Sequence, residues 1–175
     1  MSSFRYDPAT PTPSVGGPSM DARAAGPRRN DALEARDDVL IFTSGPLGDS
    51  PVSVRLRVRV RGSSPYFDVF ARLCDVDTGG RSWNVCDGLV RLSDASGWTE
   101  ITVPMSSAAH RFGAGRRLRV QLSGGAHPRF ARNTGTGEPT ATATATRLAG
   151  VDIEVRHGQG QSCVLSLPVT PAAAG

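Results

Sequence analysis

The chain has 175 residues, 20 Lys+Arg against 16 Asp+Glu, and 38% hydrophobic content. That is the size of one ordinary domain, with enough core to fold without a disulfide framework or a structural metal. The net charge of +4 permits a polyanion partner without requiring one, and no run of about 18 apolar residues is present to cross a membrane.

Residues 1–36 carry many of the Pro and Gly residues. The stretch from Tyr6 to Pro18 cannot be helical, because its prolines remove donors and bias the residues before them to extended conformations. It reads as an arm or linker. From Asp38 onward short apolar runs alternate with Gly and Pro punctuation, which is an all-β texture. Asp38–Thr43 is a first strand. In Val52–Arg61, Val52, Val54, Leu56, Val58 and Val60 point one way, and Ser53, Arg55, Arg57, Arg59 and Arg61 point the other. That pattern is a half-buried strand with one core face and one wet or partner-facing side. Phe67, Val69, Ala71 and Leu73 alternate next, and Asp77-Thr-Gly-Gly80 makes a turn. Ser82–Leu92 returns, with a bulge expected at Asp87-Gly88.

Trp98–Val103, Arg117–Ser123, Val151–Val155 and Cys163–Val169 complete about eight strands. One short helical turn is expected near Ser106–Ala109. Gly124–Pro139 reads as a long loop, a length that commonly carries function. The Thr-Ala repeat of Thr140–Thr146 favours an extended strand. The domain reads as residues 37–170, with 171–175 as a tail. The architecture is an all-β jelly-roll β-sandwich.

Much chemistry is missing. No G-x-S-x-G elbow, Walker loop, G-x-G-x-x-G or H-E-x-x-H occurs. His110, His127 and His157 lie far apart and each has a bland alternative in a turn, loop or surface position. Asp75-Val-Asp77 with its two glycines is better read as a hairpin turn than as a calcium loop, because the remaining oxygen ligands are lacking. Cys74, Cys86 and Cys163 are odd in number and have no C-x-x-C spacing, which argues against zinc. The first 30 residues lack an apolar signal core, so the expected compartment is the cytoplasm, with reduced thiols. Neither cofactor nor metal is expected.

The Arg ladder of residues 55–61 could grip phosphates, but nucleic-acid surfaces interleave aromatics and this strand face has none. A solvated or domain-facing surface is the better reading, with no nucleic-acid or membrane partner. Trp83 and Trp98 sit in or beside strands, where core packing is expected over display.

Six runs in order carry a resemblance: Phe4–Gly17, Asp38–Leu47, Phe70–Asp77, Arg81–Arg91, Ala109–Arg119 and Ala126–Pro139. They resemble the C-terminal domain of the X-Pro dipeptidyl-peptidase and cocaine-esterase-like (CocE/NonD) serine hydrolases. The resemblance implies a galactose-binding-like jelly roll. It also implies an α/β-hydrolase domain elsewhere that carries a Ser-His-Asp triad and acts on acyl esters, amides or X-Pro peptides. In that architecture the jelly roll packs on the hydrolase domain and helps wall the active-site cleft.

This chain begins where the catalytic domain would end, so no triad residue carries over and no catalytic residue is assigned. A fragment, a split gene or an excised domain is expected, with a separate catalytic chain able to supply the missing half. The loop His127-Pro-Arg-Phe-Ala-Arg-Asn133 is the expected interdomain contact, through His127, Arg129, Phe130, Arg132 and Asn133. Arg129 and Arg132 can grip carboxylates of a neighbouring domain, and Phe130 can anchor by burial. The competing reading has Asn133 and the two Arg capping their own loop. A detached domain of this kind would expose an apolar patch and self-associate. The rival from another class is a free-standing lectin-like binding module, which an exposed aromatic platform would favour.

Overall fold

The computed structural model describes residues 1–19, 21–47, 50–51, 55–144, 146–157 and 164–166. Val52–Val54, Cys163 and 167–175 lie outside the described residues, so the outer parts of two expected strands and the tail are not described. Eleven strands occur in chain order among the described residues: β1 (Ser2–Tyr6), β2 (Val39–Thr43), β3 (Ser50–Pro51), β4 (Arg55–Gly62), β5 (Phe67–Val76), β6 (Ser82–Leu92), β7 (Thr99–Val103), β8 (Arg111–Phe112), β9 (Arg117–Ser123), β10 (Val151–Arg156) and β11 (Val164–Ser166). All eight expected strands are present in whole or part. The additional ones are β1 and the two-residue pair β3 and β8.

The strand pairings are antiparallel and form two main sheets. The first has the order β1-β10-β4-β11, with β7 pairing the other edge of β4. The second has the order β2-β9-β5-β6. Period-two alternation places Leu56, Val58 and Val60 of β4, Ile153 and Val155 of β10, and Val69, Ala71 and Leu73 of β5 in one shared core. The arrangement is a β-sandwich, with the core between the two inner faces.

Four local expectations are corrected. The arm opens with a strand: β1 pairs β10 in register from Ser2↔Val155 to Tyr6↔Val151, and Phe4 and Tyr6 enter the core. Ser106–Ala109 contains no helix. The chain there is irregular and is tied to β6 by the Ser106 amide, which donates to the Asp87 carbonyl at 2.9 Å. The helix is instead α1 (Asp31–Glu34), within the arm. The bulge in β6 falls at Val85, since Leu73 pairs Cys86 while Cys74 pairs Asn84. Gly88 instead permits a close approach of the backbone, since a Cβ there would collide with the Pro104 carbonyl oxygen. Finally, the Thr-Ala repeat turns rather than extends, because the amides of Thr142 and Ala143 both donate to the Pro139 carbonyl.

The Asp77–Gly80 turn is as expected. The Asp77 carboxylate accepts from the amides of Gly79 and Arg81, and Gly80 supplies a φ of +82°. Its other oxygen pairs Arg81 at 2.7 Å.

Candidate functional site

Strand β5 is buried along its whole length. Its inner face is apolar from Phe67 to Leu73. Its outer face carries Asp68, Phe70, Arg72 and Cys74, which no water-facing strand could bury. The arm and the loop after β9 lie over this face and supply partners for its charges. Arg72, 0% exposed, donates through Nε and Nη2 to Asp87 Oδ2 at 3.2 and 2.9 Å, and through Nη1 to Asn30 Oδ1 at 2.9 Å and to the Val15 carbonyl. Asp87 also accepts from Arg129 Nη1 on its other oxygen. The Arg72–Asp87 pair thus ties the sheet to the arm through Arg72 and to the loop through Asp87.

Two further clusters repeat the device. Asp68 accepts from Arg91 in a fork at 2.9 and 2.7 Å and from Asn133 Nδ2 at 2.8 Å. Glu34 of α1 accepts from Ser82 Oγ, Gln121 Nε2 and Arg119 Nη1. Burial pushes the Cys74 thiol beneath this cover up to about 12, and the Cys86 thiol up to about 11. Burial, with the Asp68 charge second, raises the Tyr6 phenol to about 12.

The five loop residues singled out from sequence are brought together on this cover, and the polar groups of Arg129, Arg132 and Asn133 turn inward. Arg129 meets Asp87 and stacks on Phe130, with its guanidinium 4.9 Å from the ring centroid. Phe130 sits against Phe70 with ring centroids 6.1 Å apart. Arg132 donates to the Pro8 carbonyl at 3.1 Å. Asn133 donates to Asp68 and accepts from the Gly135 amide. The His127 backbone exchanges hydrogen bonds with Thr12 and Ser14, while its side chain is exposed. The partners Arg72, Asp68, Arg91 and Glu34 were not singled out from sequence, and Asp87 was read only as part of a bulge. For the strand residues the available signal was charge on a strand whose other face already reads as core.

Two arginines of the ladder pair with acids on neighbouring strands. Arg61 pairs Glu154 at 2.5 Å and Arg57 pairs Glu100 at 3.5 Å. The face does carry an aromatic, against expectation: Trp98 lies under the guanidiniums of Arg61 and Arg156, 5.0 and 4.3 Å from its ring. Neither indole joins the core; Trp83 and Trp98 are both half-buried. Among the described residues the exposed large hydrophobics are Met1 and Ile41, 71% and 43% exposed.

Two histidines make contacts of catalytic type, but they divide the parts between them. His157 Nε2 lies 2.9 Å from Ser2 Oγ, with its ring edge-on to Phe42. His110 Nε2 lies 2.8 Å from Asp75 Oδ2. A Ser-His-Asp triad needs nucleophile, base and orienting carboxylate on one line. Here the hydroxyl and the carboxylate belong to different imidazoles. Among the described residues no group of three or more His, Cys, Asp or Glu is placed to hold a metal, and no helix is long and apolar enough to cross a membrane.

Residues 2–165 match the family described as the X-Pro dipeptidyl-peptidase C-terminal non-catalytic domain. The cocaine esterase of Rhodococcus sp. (strain MB1 Bresler) is 30% identical over 182 residues, covering 95% of this chain and 32% of its own length. Among solved structures, a selenomethionine-labelled α-amino acid ester hydrolase superposes with a TM-score of 0.85 at 22% identity, over 97% of this chain and 32% of its own. An aminopeptidase from the marine-sediment archaeon Thaumarchaeota archaeon gives 0.81 at 18%, over 97% and 33%. A CocE/NonD family hydrolase from Staphylococcus aureus gives 0.56 at 15%, over 75% and 30%. The chain therefore spans about a third of the length of each of these proteins.

Proposed function

The chain belongs to the X-Pro dipeptidyl-peptidase C-terminal non-catalytic domain family, and from that premise we propose that it serves an α/β-hydrolase domain as a rigid accessory that packs on it and helps wall its active site. The observation that carries this reading is the share of length: the cocaine esterase relative is matched over 32% of itself, which leaves two thirds of that enzyme for catalysis. The activity of the assembled protein is then hydrolysis of acyl esters, amides or X-Pro peptides, carried out by the other domain.

The loop 127–133 is the proposed contact. Its internal bonds hold its shape, which lowers the entropic cost of docking. The exposed His127, Pro128 and Ala131 and the outer edge of Phe130 remain to meet the partner.

The test replaces the C-terminal third of the cocaine esterase with this chain and follows hydrolysis of a phenyl acyl ester. The truncated esterase is the comparison, and this chain alone is treated with a serine-reactive fluorophosphonate. Restored turnover in the chimera, with no labelling of the isolated chain, supports the accessory role. Stoichiometric labelling and turnover by the isolated chain would sink it, as would a folded chimera no more active than the truncated esterase.

A further inference from the structure

We propose that the cleft at the Asp75 end of the sandwich is a binding site for a neutral ring-shaped polyol, a pyranose. The cleft has a volume of about 390 Å³, and its walls include Asp75, Trp83, Val85, His110 and Arg116. Small-ligand sites are concave and largely apolar, with a few oriented polar groups. Here the oriented groups are built on one buried acid. Asp75, whose side chain is 4% exposed, accepts from Arg116 Nε at 2.7 Å on Oδ1 and pairs with His110 Nε2 at 2.8 Å on Oδ2. The two partners are 33% and 36% exposed, and both line the cleft.

The ligand class follows from what these groups have left to offer. With the Nε2 hydrogen committed to Asp75, a neutral imidazole presents Nδ1 as an acceptor. The His110 ring is braced edge-on against Phe112, with centroids 4.7 Å apart. Arg116 retains the N–H donors of its Nη groups, and among the described residues no hydrogen bond takes them or His110 Nδ1. A fixed donor beside a fixed acceptor complements two neighbouring hydroxyls, each of which both gives and takes a hydrogen bond. Trp83, opposite Asp75 in the strand register, supplies a half-exposed flat apolar surface for the C–H face of a sugar ring.

An anion is disfavoured because Asp75 already neutralises Arg116. Asn84, also in the wall, is spent on the arm: its Oδ1 accepts from the Arg28 amide at 2.7 Å and its Nδ2 donates to the Gly26 carbonyl. Such a site would bind its ligand with or without a hydrolase domain alongside.

The chain has two Trp, so Trp98→Phe leaves Trp83 as the reporter in the otherwise complete chain. Methyl glucoside, galactoside and mannoside would be titrated while tryptophan emission and the indole N–H resonance are followed. Sorbitol serves as the open-chain polyol and sodium benzoate as a ring-bearing anion. The expected result is saturable binding of at least one pyranoside and none of sorbitol. Arg116→Met and His110→Phe, each checked for an unchanged thermal transition, should each weaken that binding about tenfold, the size of one lost directed contact. No saturable response to any pyranoside by either readout would overturn the proposal. So would tighter binding of benzoate, which would mark the cleft as an anion site, or undiminished pyranoside binding in both folded variants.

Discussion

Arg72 and Asp87 stand directly opposite each other on β5 and β6, and neither side chain is more than 1% exposed. Each also holds a piece of the cover, Arg72 through Asn30 and Val15 and Asp87 through Arg129. The pair therefore does more than close a gap in the sheet. It sets where the arm and the loop can lie, and so the shape that the domain presents on that side.

Taking such a pair out of water costs free energy that its mutual attraction roughly offsets. Losing one partner strands the other as a buried charge. Arg72→Met or Asp87→Asn should each cost about 3–5 kcal/mol. The double variant Arg72→Met/Asp87→Leu should cost clearly less than the sum of Arg72→Met and Asp87→Leu measured singly. Arg129→Met, at a half-buried position, should cost about 1–3 kcal/mol. Urea unfolding monitored by circular dichroism gives all of these. Strict additivity of the two single losses would show that the two side chains do not act as a pair.

Tyr6 offers a contrast between ring and hydroxyl. Its ring is in the core, while its buried hydroxyl has no hydrogen-bond partner among the described residues. Tyr6→Phe should be neutral or slightly stabilising, because it removes an unpaired polar atom. Tyr6→Ala should cost about 3–5 kcal/mol, as for other large core aromatics. A Tyr6→Phe variant less stable by more than about 1 kcal/mol would mean that the hydroxyl has a bonding role.

Gly124 tests the same seam from the other side. A Cβ there would overlap the Tyr6 side chain, so the ring or the strand must move. Gly124→Ala should therefore destabilise by about 1–3 kcal/mol, the usual cost of overpacking. Amide exchange should show β1 opening more readily in this variant while β5 stays protected. Equal loosening of both strands would contradict the assignment of the strain to Tyr6.

What could be read from sequence depended on how local the cause was. The alternation of Leu56, Val58 and Val60 with arginines is written in consecutive residues, and so was that strand. The entry of Phe4 and Tyr6 into the core was not legible. Two apolar residues ahead of a proline-rich stretch make no pattern, and their partner β10 lies at the far end of the chain. Nothing local marks Asp68, Arg72 and Asp87 as buried charges. Their burial comes from the arm and loop folding back, a tertiary event with no period. Trp98 was misplaced for a similar reason: its stacking arginines, Arg61 and Arg156, come from two different strands.

Buried acids that stay neutral make stability fall in alkali. Burial raises the Cys74 thiol from 9.0 to about 12, the Cys86 thiol from 9.0 to about 11 and the Tyr6 phenol from 10.0 to about 12. The unfolded chain therefore loses these protons before the folded one does, so it binds fewer protons throughout that range. Stability then decreases as pH rises. Their contribution is whole below about pH 9 and drains away between about 9 and 12. Melting temperature should hold level up to about pH 9 and then drop. Cys74→Ala with Cys86→Ala should delay the onset toward about pH 10, where the phenol takes over. In a Cys163→Ser background, Cys74 and Cys86 should resist a disulfide reagent near neutral pH until denaturant opens the core, since thiolate and access are both lacking. A melting temperature that stays flat to about pH 11, or rapid labelling of either thiol in the native protein, would show that these groups are not held neutral under cover.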